Sequence, residues 1–159
     1  MPESSRAPVA ADLDWMLALN NAHAIELSLL DGARLVHLLG TSFRARVVAT
    51  DAALIAFDQG ADYDSPNFLW FRGRHDRFVY IDRVVVSPEA RSRGLARTLY
   101  ADLFAAARTA GHSRVCCEVN VAPPNPASDA FHEALGFVET GRANLSDRAK
   151  TVRYLERRV

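Results

Sequence analysis

Long apolar runs, a surplus of either charge, and cysteine are what this 159-residue sequence is short of. No run approaches the roughly twenty apolar residues that span a bilayer, so no membrane association is expected. Residues 1–8 are polar and lack the apolar centre of a secretion signal, which makes cytoplasmic residence the expectation. Nineteen basic residues balance nineteen acidic ones, giving zero formal charge. That balance argues against bulk binding to nucleic acid or to an anionic membrane. The two cysteines, Cys116 and Cys117, are adjacent. In a strand they face opposite ways, so no disulfide between them is expected. They read as buried small apolar residues, and no other cysteine exists to complete a metal set, so no metal is expected. Repeats, low-complexity tracts and interdomain linkers are also missing, so residues 1–159 read as a single domain. What is present is ordinary for a soluble globular chain: 49% apolar and 24% charged residues.

The chemistry concentrates between Tyr80 and Leu99. Ile81 and Val84-Val85-Val86 read as a buried strand that Ser87-Pro88 stops. Arg91-Ser92-Arg93-Gly94-Leu95-Ala96 follows, and Leu95, Leu99, Leu103 and Ala107 recur at helical spacing. A helix that emerges from a basic, glycine-containing turn is an anion site. Its unpaired N–H groups and positive dipole end favour phosphate, and Gly94 admits close backbone approach. The turn lacks the Gly-Lys-Ser/Thr run of a P-loop and the three glycines of the dinucleotide fingerprint.

Around it, the pattern predicts a short strand near 7–10, a helix from Asp12 to about 23, and a second helix over 32–39. Strands over 43–50 and 53–57 form a hairpin through Thr50-Asp51. Residues 59–77 are the least regular stretch. A strand over 79–86, a helix over 92–110 stopped by Gly111 and a strand over 115–119 make a βαβ unit, whose two strands must be parallel. Asn125-Pro126 supplies an N-cap and first helical residue for a helix to 135, closed by Gly136. Strands over 137–142 and 151–156 complete an antiparallel edge.

The Arg91–Ala96 turn resembles the R/Q-x-x-G-x-G/A signature of the GNAT acyltransferase superfamily, and the order of elements is similar to that fold over essentially the whole chain. Asn125, eleven residues before Gly136-Phe137, resembles a second family motif, in which Ser128, Phe131 and His132 stand where alanine, leucine and tyrosine are usual. Arg6 and Asp12 loosely match the family's opening. The resemblance implies an α/β fold: a mixed, mostly antiparallel sheet with one parallel pair splayed at the acetyl-CoA site and helices on both faces. It implies acetyl-CoA as co-substrate, its pyrophosphate held by backbone N–H groups from Arg91 to Ala96, with Arg91 and Arg93 as fork-shaped donors and Arg97 and Thr98 nearby. It further implies that the Val84, Val85 and Val86 segment borders the pantetheine arm, Val84 and Val86 pairing their backbones with it. Asn125, Ser128 and Phe131 would border the arm from the following helix.

Transfer of an acetyl group to an amine needs a base for an ammonium of pKa ~10, a donor for the thioester oxygen, and relief for a thiolate of pKa ~8.5. Tyr80 and Asp82, two apart on one strand, share a face, and family bases occur at both positions. Asp82 is the expected base, against a structural ion pair with an arginine. Glu118, on the next parallel strand, is a rival. The resemblance gives the oxyanion to the Val84 N–H and the thiolate proton to position 132, here an imidazole with Asp129 one turn back. The expected acceptor is a small-molecule or peptide amine, drawn by Asp62, Asp64, Asp82 and Glu118 with Tyr63, Phe68 and Trp70 as an aromatic wall. The competing reading is a non-catalytic acyl-CoA-binding module, which would release no CoA when an amine is added. A homodimer is common in the superfamily, but the sequence carries no sign of it.

Overall fold

The computed structural model describes residues 3–24, 27–145 and 150–159. Six strands form one mixed sheet in the order β1-β2-β3-β4-β6-β5: β1 Arg44–Val48, β2 Ala52–Asp58, β3 Val79–Val86, β4 Arg114–Ala122, β5 Val138–Leu145 and β6 Lys150–Arg158. Only β3 and β4 are parallel; every other neighbouring pair is antiparallel. The parallel pair follows from its connection, since α4 (Leu95–Thr109) crosses from one strand to the next.

Alternation along the strands gives each face of the sheet its own core. Leu54, Val79, Ile81, Val115 and Cys117 face one way, where α4 contributes Leu95, Leu99, Tyr100 and Leu103 and α5 (Pro126–Ala134) adds Phe131. Ile55, Phe57, Tyr80, Cys116 and Tyr154 face the other way. There they meet Met16 of α1 (Leu13–Ala22), Leu35 and Leu38 of α2 (Gly32–Thr41), and Phe68 and Phe71 of α3 (Pro66–Arg72). The adjacent cysteines thus sit in different cores, as their spacing requires, and both are free and buried. Burial pushes both thiols well above their ordinary range, so neither supplies a thiolate.

Two local expectations are corrected. Residues 7–10 are not a strand: Arg6 alone bridges Val47, exchanging backbone bonds of 2.9 and 2.8 Å, and a 3-10 turn over Ala10–Asp12 follows. The Asp12 carboxylate draws the chain inward there. It accepts from both terminal nitrogens of Arg6 (2.7 and 2.8 Å), from Val9 N–H and from Trp15 Nε1. The supposedly irregular 59–77 stretch holds α3, whose first helical residue is Pro66 and which ends at Gly73.

Candidate active site

β3 and β4 pair only at Val79–Val115 and Tyr80–Cys116, and then part. Ser87 N–H donates to Asp51 O at 2.7 Å, which sets the phase of the β2–β3 ladder. Bonded and non-bonded pairs alternate in an antiparallel ladder. Val85 therefore exchanges its bonds with Ala53, while Val84 and Val86 turn their N–H and C=O groups toward the open edge that β4 has left. A groove of about 610 Å³ runs along this edge, lined by Val84, Val85 and Val86, by Arg91, Ser92, Gly94, Leu95, Ala96 and Arg97, and by Asn125, Ser128, Phe131 and His132.

One end of the groove is the anion turn. Ser92 and Gly94 both have left-handed backbones, φ 70° and 75°, which curl successive amides around one point. The first backbone bond of α4 runs from Thr98 N–H to Gly94 O (3.0 Å). The N–H groups of Ser92 through Arg97 accordingly take no backbone partner among the described residues, and the positive end of a fifteen-residue helix lies behind them. Arg91 and Arg97 border the groove, and Arg91 Nη2 lies 3.1 Å from His23 Nε2. Arg93 turns away: its guanidinium binds Glu3 and lies 3.4 Å from Asp51. Thr98 also stays outside the lining and donates its hydroxyl to Gly94 O.

α5 closes the other wall. Asn125 caps it, accepting from Ser128 N–H at 3.3 Å. His132 is buried, with Nδ1 2.8 Å from Ser128 O and Nε2 2.8 Å from the Tyr100 hydroxyl. A carbonyl only accepts, so Nδ1 carries the proton and Nε2 accepts from Tyr100. Burial lowers the imidazole pKa further, which keeps the ring neutral. Both nitrogens are engaged inside the protein.

Across the sheet lies a polar cleft of about 60 Å³, and Leu27 borders both cavities. A bulge builds it. Ile55 faces Arg83 and Ala56 faces Ile81, leaving Asp82 as an extra residue in β3. The bulge reverses the alternation: Tyr80 points to the cleft side before it, Val85 after it. Asp82 and Arg83 therefore emerge on the same face. Arg83 Nε donates to Asp82 Oδ2 at 2.7 Å and the Tyr63 hydroxyl to Oδ1 at 2.6 Å, while Arg83 Nη1 reaches Asn20 Oδ1 at 2.8 Å. The arginine is on Asp82's own strand, not on a neighbouring element.

Glu118 stands opposite on β4. The Tyr80 hydroxyl reaches both its oxygens, at 3.0 and 2.8 Å, and Asn67 Nδ2 reaches Oε1 at 3.1 Å. Desolvation outweighs these donors, and with Asp82 nearby it pushes the carboxyl up to about 7. Tyr80 itself is fully buried and its pKa is raised well above normal, chiefly by burial, so its phenol stays protonated.

The expected acidic and aromatic wall is largely elsewhere. The Asp62 and Asp64 side chains are 91% and 94% exposed, beside His37 and Arg34. The turn into α3 sends Phe68 into the core, and Trp70 stacks on Tyr154 at 4.1 Å. Of that set only Tyr63, Asp82 and Glu118 border the cleft. Sequence reasoning missed Asn67, Arg83 and Tyr154. Ser65-Pro66 before an aromatic run was a helix-start signal; Arg83 gave none, because consecutive strand residues ordinarily face opposite ways. Among the described residues one group of possible metal ligands comes together, His75, Cys116 and Glu156. Arg114 Nη1 lies 3.1 Å from Glu156 and 3.3 Å from His75, so a fixed cation already sits among them.

A strand pair that opens onto a helix-capped anion turn has a counterpart in sequence families. Residues 47–137, more than half of the chain, from the last residues of β1 to just beyond α5, match the acetyltransferase (GNAT) family. The chain belongs to that family. Its fold is the GNAT fold, with 16–22% identity to three solved structures. One is the ribosomal-protein-alanine N-acetyltransferase of Brucella melitensis (TM-score 0.74, 22% identity, 98% of this chain and 99% of that one). Another is the phosphinothricin acetyltransferase of Sinorhizobium meliloti in complex with AcCoA (0.72, 21%, 100% and 89%). The third is the ribosomal-protein-S18-alanine N-acetyltransferase of Escherichia coli (0.72, 16%, 99% and 94%). Among curated proteins, none matches this sequence. No described helix of this GNAT chain is long and apolar enough to cross a membrane.

Proposed function

We propose that this GNAT protein transfers the acetyl group of acetyl-CoA directly to a primary amine of a small molecule or peptide, with Glu118 as the base. The observation that carries this reading is the parting of β3 and β4, with the long groove along Val84–Val86 and the polar cleft at Asp82 and Glu118 both beside it and Leu27 bordering each. The residues present suit the co-substrate. Free amides of the 92–97 turn, with Arg91 and Arg97, hold a pyrophosphate; the open edge at Val84 and Val86 pairs with an amide-bearing arm; the apolar groove floor receives the rest. The Sinorhizobium relative of this fold is a complex with AcCoA.

The thioester then lies where the strands part, between Val84 and Glu118. The ammonium loses one proton to Glu118 and its lone pair attacks the thioester carbon, forming the C–N bond. The Val84 N–H stabilises the oxyanion; as the C–S bond breaks, the second proton passes from the now positively charged nitrogen to the departing sulfur, and CoA leaves as the thiol. A carboxyl held near 7 is ionised for part of the population at neutral pH and basic enough to receive that proton. Asp82, saturated by Arg83 and Tyr63, holds the wall of the cleft. His132, with both nitrogens engaged, positions α5 against α4. Tyr80, neutral and bonded to Glu118, orients the base.

The test is a screen of amino acids, peptides, polyamines and aminoglycosides with acetyl-CoA, following free thiol. Amine-dependent thiol release, lost in Glu118→Gln, is the expected result. CoA binding without release for any amine would favour a binding module instead.

A further inference from the structure

The base has a support that no motif announces. Asn67, on α3, is 6% exposed, and its amide joins two elements. Its Oδ1 accepts from the hydroxyl of Tyr154 on β6 at 2.9 Å, and its Nδ2 donates to Glu118 Oε1 at 3.1 Å. A phenol donates to the amide oxygen and an ionised carboxylate can only accept, so the two partners together dictate which way the amide points. Tyr154 is itself immobilised: it is 1% exposed, paired in register with Glu118, stacked on Trp70 and set edge-on against Phe71.

We infer that Asn67 and Tyr154 are positioning residues that hold Glu118 in its ionised, reactive orientation. The inference rests on the reading of Glu118 as the base. Asn67 engages Oε1, which leaves Oε2, bonded by the Tyr80 hydroxyl at 2.8 Å, as the oxygen that meets the amine. The charged and titratable groups lining the cleft around Glu118 among the described residues are Tyr80, Asp82 and Arg83 from β3, Tyr63 from the segment before α3, and Lys150 from β6; Tyr154 adjoins it on β6. Of all these, only Tyr80 touches the carboxylate; Asn67 is the second donor and Tyr154 is what directs it. Removing that donor makes the charged form less favourable.

The test is a carboxyl-carbon NMR titration of the full-length protein labelled at glutamate, with the Glu118 signal assigned by its loss in Glu118→Gln. Asn67→Ala is expected to move the Glu118 midpoint up by about one pH unit, and Tyr154→Phe, which frees the amide to rotate, by a smaller amount in the same direction. An unmoved midpoint in a folded Asn67→Ala protein overturns the inference; should that variant fail to fold, an unmoved midpoint in Tyr154→Phe does the same. The titration needs no acceptor, so it separates two failures. Full turnover in Glu118→Gln removes the base assignment, whereas an inactive Glu118→Gln with unmoved midpoints removes only the roles of Asn67 and Tyr154.

Discussion

Asp82 and Arg83 are consecutive in β3, yet their side chains leave the same face of the sheet and meet at 2.7 Å, because Asp82 is the extra residue of a bulge. Their side chains are only 4% and 9% exposed. Asp82→Asn would leave a nearly buried guanidinium without its counter-charge, at a cost of about 3–5 kcal/mol. For a domain of this size that lowers Tm by on the order of 10 °C. Calorimetric unfolding measures it. A variant with unchanged Tm and collapsed kcat would instead place proton transfer at Asp82.

Glu118→Gln is expected to do the opposite. A carboxyl near 7 in the folded protein and near 4.5 unfolded binds its proton more tightly when folded. Stability therefore falls as pH rises between those values and stays lower above them. Glutamine has no such loss. The variant should gain on the order of 1–3 kcal/mol over the parent at pH 8 and show little difference at pH 4. Its kcat should fall about 10²–10⁴-fold. Paired thermal melts at the two pH values, beside the thiol assay, check both halves.

His132→Phe probes α5. It strips the Tyr100 hydroxyl of its acceptor in a buried site and should cost about 1–3 kcal/mol. If His132 only positions α5, the pH dependence of kcat keeps its shape. A new requirement for low pH would show that the imidazole donates to the departing thiolate.

Much of this architecture was legible before any coordinates, and the reasons are physical. The Gly94 turn, the α4 stripe of Leu95, Leu99 and Leu103, and the Asn125-Pro126 start depend on spacing and local backbone demands, which sequence carries directly. The bulge at Asp82 does not: it is defined by register against β2, a long-range quantity. From the local pattern Asp82 alternates cleanly with Ile81, and nothing nearby says that Arg83 shares its face. Arg93 shows the same limit. Arg91 and Arg93 look equivalent in the basic turn, but Glu3 and Asp51, distant in sequence, draw Arg93 away from the groove, while Arg97, expected only nearby, borders it. Glu118 was visible only as an acid in an apolar strand; its elevated pKa comes from burial and from Asp82, neither of which is local.

Gly94→Asp separates charge from shape at the anion turn. Nothing lies within 4 Å of a Cβ built at Gly94, so the substitution meets no clash, and aspartate tolerates the φ of +75° at a cost of about 1 kcal/mol. Gly94 lines the groove, so the substitution places a negative charge in the turn that would hold the pyrophosphate. CoA affinity by calorimetry should drop at least tenfold with the circular dichroism unchanged. Gly94→Asn, equal in shape and backbone demand but neutral, should retain most of it. Equal losses in both variants would mean that the backbone, not the charge, was disturbed.

Gly141→Ala tests the mechanical support of the base from a distance. Gly141 sits at a bulge of β5, between its pairing with Tyr154 and that of Glu139 with Leu155. A Cβ there would press into the six-membered ring of Trp70, 2.8 Å from Cη2, so the indole must move. Trp70 is the ring stacked on Tyr154, and Tyr154 directs Asn67 toward Glu118. Overpacking of this kind costs about 1–3 kcal/mol. The informative readout is kinetic. The groove proposed for CoA is lined by none of Gly141, Trp70, Tyr154 and Asn67, so CoA affinity should hold while kcat falls several-fold and the acidic limb of the rate profile moves upward. Loss of CoA affinity in step with kcat would mean that the sheet as a whole had been deformed and that the stack is not a separate support for Glu118.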